Sequence, residues 1–190
     1  MSNQHDQLSP QQSLDLIASM INEAKGNVRD NSFYYLLWGW VLVAAHLGSF
    51  TLIEFEFGYP YAVWLIVIPA WIATFVHGSR QAKKQLRAAT HLETVNLSLW
   101  ISFGVLSVTI PFFGAFINYQ INPVILLMGS MATVTSGIIL KYRPLVVGGI
   151  LIFACGLASF FLSYQQQSLI SAAAIVGGYL VPGYMLKVQK

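Results

Sequence analysis

Six apolar runs, at about 33–55, 61–77, 95–117, 124–140, 145–163 and 169–186, contain no lysine or arginine. No other feature limits the fold as much. A helix that crosses a bilayer takes about 20 mostly apolar residues, and each run comes close to that. Charged residues are 9% of the 190-residue chain, against about 25% in an ordinary soluble domain. A soluble core of this size would lack the polar surface to cover itself. The expected fold is therefore an all-α membrane protein. Six transmembrane helices, residues 32–190, form three hairpins, and a cytoplasmic arm, residues 1–31, precedes them.

The ten cations fix the orientation. Lys25 and Arg29 precede the first run. Arg80, Lys83, Lys84 and Arg87 follow the second, Lys141 and Arg143 the fourth, and Lys187 and Lys190 the sixth. The loops after odd-numbered runs hold none, and the first of these carries Glu54 and Glu56 instead. Loops rich in lysine and arginine stay on the cytoplasmic side, so both termini are predicted there. Losing or adding one span would scramble this segregation. The net charge of +3 is spread over membrane-flanking loops and is no nucleic-acid footprint.

Within the arm, Ser9-Pro10-Gln11-Gln12 reads as a helix start: serine at the N-cap, proline at the first helical position, glutamine closing a capping box. Leu14, Ile17, Ile21, Ala24 and Val28 then recur on one face of an amphipathic helix over 10–30. Such a helix lies in the interface, packs on the protein's own loops, or docks on a partner. The arm lacks the pattern of a cleavable signal peptide. Tyr34, Tyr35, Trp38 and Trp40 open the first span and read as an interfacial aromatic belt. Pro69 is expected to kink the second span. The basic stretch 78–93 begins as an extension of that helix, and Thr90-His91-Leu92-Glu93 is a capping box for the third.

Small residues four apart, Gly129-Thr133-Gly137, Ala173-Gly177 and Ala174-Gly178, mark close helix contacts. They serve packing within one bundle or a seam between copies in a homo-oligomer. A loose recurrence around Gly48-Ser49-Phe50, Pro111-Phe112-Phe113 and Ala158-Ser159-Phe160 suggests a tripled hairpin.

His46 is the one ionisable side chain deep in a span, and an intramembrane ionisable group is a functional candidate by default. Its candidate partners are Ser107, Thr109 and Thr133. The plainer reading is a neutral histidine sharing interhelical hydrogen bonds. His77 falls at the inner edge. Arg80, Lys83, Lys84 and Arg87 are candidate contacts for lipid headgroups or a protein partner. Glu54 and Glu56 fit a cation vestibule or simple solvation. The lone Cys155 excludes an internal disulfide and reads as a packing residue. No nucleophile–base pair, metal-ligand spacing or phosphate loop is present. No enzyme activity, cofactor or metal is expected.

The stretches SFYYLLWGW at 32–40, RPLVVGGI at 143–150 and GYLVPGYMLK at 178–187 resemble a family of small bacterial, Bacteroidetes-type membrane proteins. The resemblance runs over nearly the whole chain and implies a bacterial inner-membrane setting. It supplies no catalytic residue. Two functional readings stand. One is a non-enzymatic interaction or regulatory membrane protein, with a protein partner on its cytoplasmic face. The other is a small-solute transporter or channel, for which Pro69, Pro111, Pro182 and His46 are the motivating residues.

Overall fold

The computed structural model describes Gln11 and residues 32–84 and 91–188. The amphipathic helix predicted for 10–30, the capping residue Thr90 and Arg87 lie outside the described residues.

Six helical rods follow one another. The first is α1, Ser32–Glu54. The second begins as a 3-10 stretch, Pro60–Ile66, and continues as α2, Val67–Lys84. The third is α3, His91–Thr109, continued by a 3-10 stretch, Ile110–Ile117. Then come α4, Ile121–Ile139, and α5, Arg143–Ser159. The sixth rod is α6, Tyr164–Ile175, a π-turn, Val176–Leu180, and α7, Val181–Val188. Five rods are long and apolar enough to cross a membrane, and α5, at 17 residues, is the shorter sixth.

Neighbouring rods run antiparallel, and glycines set how closely they meet. Along α4 and α5, the most extensively packed pair, Gly137 meets Val146, Gly149 meets Val134, and Gly156 meets Leu126 and Leu127. Gly39 of α1 faces Leu180, and Gly183 faces Leu36. Gly148 of α5 touches the backbone of Gly178, where an added Cβ would lie 2.8 Å from the carbonyl oxygen. The second rod lies along α1 through Gly48 with Val63 and through Trp38, which donates to Thr74 Oγ1 at 3.1 Å. It meets α3 where the Trp71 ring fills the notch at Gly104. The small-residue faces read from the sequence thus point at neighbours inside one bundle: Gly129 at Phe103, Gly137 at α5, Gly178 at Gly148.

This alternation gathers Arg80, Lys83, Lys141, Arg143 and Lys187 at one end. Glu54, Glu56 and a fringe of exposed aromatics, Phe55, Tyr59, Phe116, Tyr119 and Phe161, lie at the other. Apolar side chains cover the outside of the rods, while Ser49, Ser130, Thr133, Ser136, Ser159 and Ser171 are buried.

Pro69, Pro111 and Pro182 each lie in or next to a stretch that departs from α geometry, because proline removes a donor and crowds the carbonyl four residues back. The effect at Pro69 differs from the expected mid-helix kink. The rod is 3-10 up to Ile66, so Pro69 occupies the first turn of α2, where no donor is needed. Pro111 stands at the start of the second 3-10 stretch. Ahead of Pro182, the Val181 N–H reaches back five residues to Val176 O and forms the π-turn.

Two boundaries and one side-chain placement also differ from the sequence reading. The fifth helix ends at Ser159, not 163, because the chain turns through Phe160–Leu162 with i→i−3 hydrogen bonds. The sixth begins at Tyr164, not 169, under a capping box in which Ser163 Oγ accepts from the Gln166 N–H and Gln166 Oε1 accepts from the Ser163 N–H. In the first span Tyr35 is no belt residue. It is 6% exposed and faces the core, while Trp40, 56% exposed, faces out.

Candidate functional site

The centre of the bundle is closed by aromatic rings around a polar knot. Tyr35 of α1, Trp100 of α3 and Tyr179 of the π-turn form a triangle with ring centroids 6.1 to 6.4 Å apart. Phe103 stands edge-on to Trp100 at 5.7 Å. Beneath them Ser136 of α4 accepts from Trp100 Nε1 at 2.8 Å and donates to Asn96 Oδ1 at 2.6 Å. One turn along α4, Thr133 donates to Gly129 O at 2.6 Å and lies 3.2 Å from the Tyr179 hydroxyl. Four rods are tied together here. None of these residues was a sequence candidate except Thr133, named as a partner for His46. The available signal was Asn96 and Trp100, four apart on one helix face.

His46 is 6% exposed on α1, and its ring stands edge-on to Trp64 at 5.0 Å. Among the described residues Nδ1 has no hydrogen-bond partner. The three predicted partners are otherwise placed. Thr109 donates to Val105 O, Thr133 belongs to the central knot, and Ser107 Oγ is itself buried without a partner. The other buried unpaired atoms are Ser49 Oγ, Ser159 Oγ and Gln167 Oε1. All five lie in the half of the bundle away from the cations. Gln167 spends its amide nitrogen on Gln120 Oε1 at 2.8 Å and Leu162 O at 3.2 Å.

At the basic end Arg80 and Lys83 are exposed on the last turns of α2. Lys84 closes that helix. His77, one turn earlier, stacks on Phe33 at 4.0 Å, and its Nδ1 lies 3.3 Å from the Tyr34 hydroxyl. Lys141 takes the left-handed conformation, φ 52°, that lets the α4–α5 link reverse tightly. The buried Tyr142 then donates to Pro182 O at 3.0 Å, which pins the link to the sixth rod, and burial pushes its phenol pKa up. The acids at the opposite end, Glu54 and Glu56, are exposed, as is the sharply turned backbone at Glu56, φ 51°. Cys155 is half-buried against the core.

The hydrogen bonds and ring contacts described above join rods of the bundle to one another. Among the described residues no three His, Cys, Asp or Glu side chains converge on a metal position. No protein-family model, curated protein or solved structure matches the chain.

Proposed function

We propose that the chain is a six-helix bacterial inner-membrane protein, built as three hairpins with both termini cytoplasmic, and that it acts as a non-enzymatic interaction or regulatory protein. Its cytoplasmic face carries the N-terminal arm and the basic stretch with Arg80, Lys83, Lys84 and Arg87. The observation that carries this reading is the division of the molecule: exposed cations at one end, and a centre filled by Tyr35, Trp100 and Tyr179 around Ser136. A plugged centre suits a scaffold better than a conduit. The exposed apolar surface of the rods supports contact with a lipid bilayer. The resemblance of 32–40, 143–150 and 178–187 to Bacteroidetes-type membrane proteins supports the bacterial setting. The test is site-specific photocrosslinking in the native host. A stoichiometric protein adduct from positions 80 and 83, absent from positions 57 and 161, is expected. No adduct from the basic end, together with an unchanged phenotype after deletion of residues 9–31, would sink the reading.

A second reading, a small-solute transporter or channel, is favoured by the unpaired His46 Nδ1 and by the 3-10 stretches in the same half of the bundle. It requires that His46→Leu abolish flux in reconstituted vesicles while the protein remains folded.

A further inference from the structure

A groove of about 350 Å³ runs between α5 and the sixth rod at the basic end. Its floor exists because Gly148 and Gly177 carry no side chain. Its walls are apolar and exposed: Val147 and Leu151 on one side, Val181 and Met185 on the other. Arg143 stands at its mouth. From Arg143 to Leu151 the groove follows eight residues of helix, about 12 Å at 1.5 Å per residue. At the other end the π-turn directs the Val181 N–H to Val176 O, and the next residue, Pro182, has no N–H.

Cations gather at this mouth: Lys141 and Lys187 flank Arg143 at the same end, all three exposed. An apolar groove headed by exposed cations has the complement of a molecule with an anionic head and a hydrocarbon tail.

We infer that this groove is a binding site for one anionic phospholipid, with an acyl chain on the Gly148–Gly177 floor and the phosphate on Arg143. The inference rests on the membrane setting proposed above. It is independent of the partner assigned to the basic stretch.

The full chain is reconstituted into vesicles of phosphatidylcholine mixed with phosphatidylglycerol, released, and weighed intact with its retained lipids by native mass spectrometry. One phosphatidylglycerol is expected to remain preferentially. Arg143→Gln should weaken retention about fivefold, the factor set by one cation near a phosphate surface. Val147→Trp, which fills the slot and leaves the cations intact, should abolish it. Ile72→Trp, the same kind of change on the exposed face of α2, should leave it unchanged. A photoreactive benzophenone side chain at position 147 should crosslink to lipid. Equal retention of both lipids, or wild-type retention by both groove variants, overturns the proposal, as does crosslinking to residues 1–31 or to a second copy. Alkaline carbonate extraction of the same membranes separates the two failures, because a chain that is extracted was never embedded.

Discussion

Trp100 donates its indole N–H to Ser136 Oγ at 2.8 Å, and Ser136 passes its own hydrogen to Asn96 Oδ1 at 2.6 Å. One hydroxyl thus satisfies both a donor and an acceptor on α3 from a single position on α4. Its removal strands both. An unsatisfied buried polar group costs about 1–3 kcal/mol, and interhelical hydrogen bonds in membranes average nearer 0.6 kcal/mol. Ser136→Ala should lower stability by about 1 kcal/mol in a denaturing-detergent titration and shift Trp100 emission. Wild-type stability and emission would mean that the knot does not bind the rods together.

Gly148 and Gly177 present the same chemistry in two different settings. A Cβ on Gly148 meets backbone, the Gly178 carbonyl oxygen at 2.8 Å and Cα at 3.0 Å, which no rotamer change relieves. A Cβ on Gly177 meets only the tip of Leu151 at 2.4 Å, which can swing away. Gly148→Ala should therefore cost about 2–3 kcal/mol and Gly177→Ala less than about 1 kcal/mol, following the usual penalties for overpacking. The same titration measures both. Equal costs would show that α5 and the sixth rod are free to separate.

The six rods were legible because apolar runs without cations have few other uses. Their ends were less so. Ser163 and Gln166 satisfy the capping-box spacing, yet the glutamines around them read as a turn, and the start of α6 was placed late. Tyr35 and Trp40 illustrate a second limit. Both are aromatic and near a helix start, and only the phase of α1 against the sixth rod sends Tyr35 inward and leaves Trp40 on the outer surface, bonded to the Tyr184 hydroxyl at 3.0 Å. His46 illustrates a third. Depth alone nominated Ser107, Thr109 and Thr133 as partners, whereas its neighbour is Trp64, a contact set by how the 3-10 stretch lies on α1. The groove was invisible for a similar reason. It lies between α5 and the sixth rod, where the π-turn ahead of Pro182 is a feature that no periodicity encodes.

His46 offers a direct choice between structure and transport. Among the described residues its buried Nδ1 has no partner, and its ring stands edge-on to Trp64. Phenylalanine keeps the ring contact and removes the unsatisfied nitrogen. His46→Phe should therefore leave stability within about 0.5 kcal/mol of wild type or raise it, since edge-to-face pairs survive the exchange. A loss above about 1 kcal/mol would show that the imidazole makes a polar contact in the membrane. Unchanged solute flux in the stable variant would remove the transport reading's principal residue.

The proposed orientation of the bundle rests on where its charges lie. Arg80, Lys83, Lys141, Arg143 and Lys187 share one end, and the other carries Glu54, Glu56 and exposed aromatics. Lysine and arginine in short loops are enriched on the cytoplasmic side, whereas aromatic side chains settle at the headgroup level of both surfaces, so the cations alone carry the orientation. Thiol labelling in intact cells reads this directly, on a Cys155→Ala background that removes the native thiol. Phe57→Cys and Phe161→Cys, both at highly exposed positions, should react at once with a membrane-impermeant maleimide. Lys83→Cys and Lys187→Cys should react only after permeabilisation. The two lysine positions lie at the ends of different rods, so their agreement also tests the even number of crossings between them. Labelling of the lysine positions from outside would invert the protein and remove its basic face from any cytoplasmic partner. Discordance between Lys83→Cys and Lys187→Cys would mean that one of the rods between them, α5 being the shortest, fails to cross.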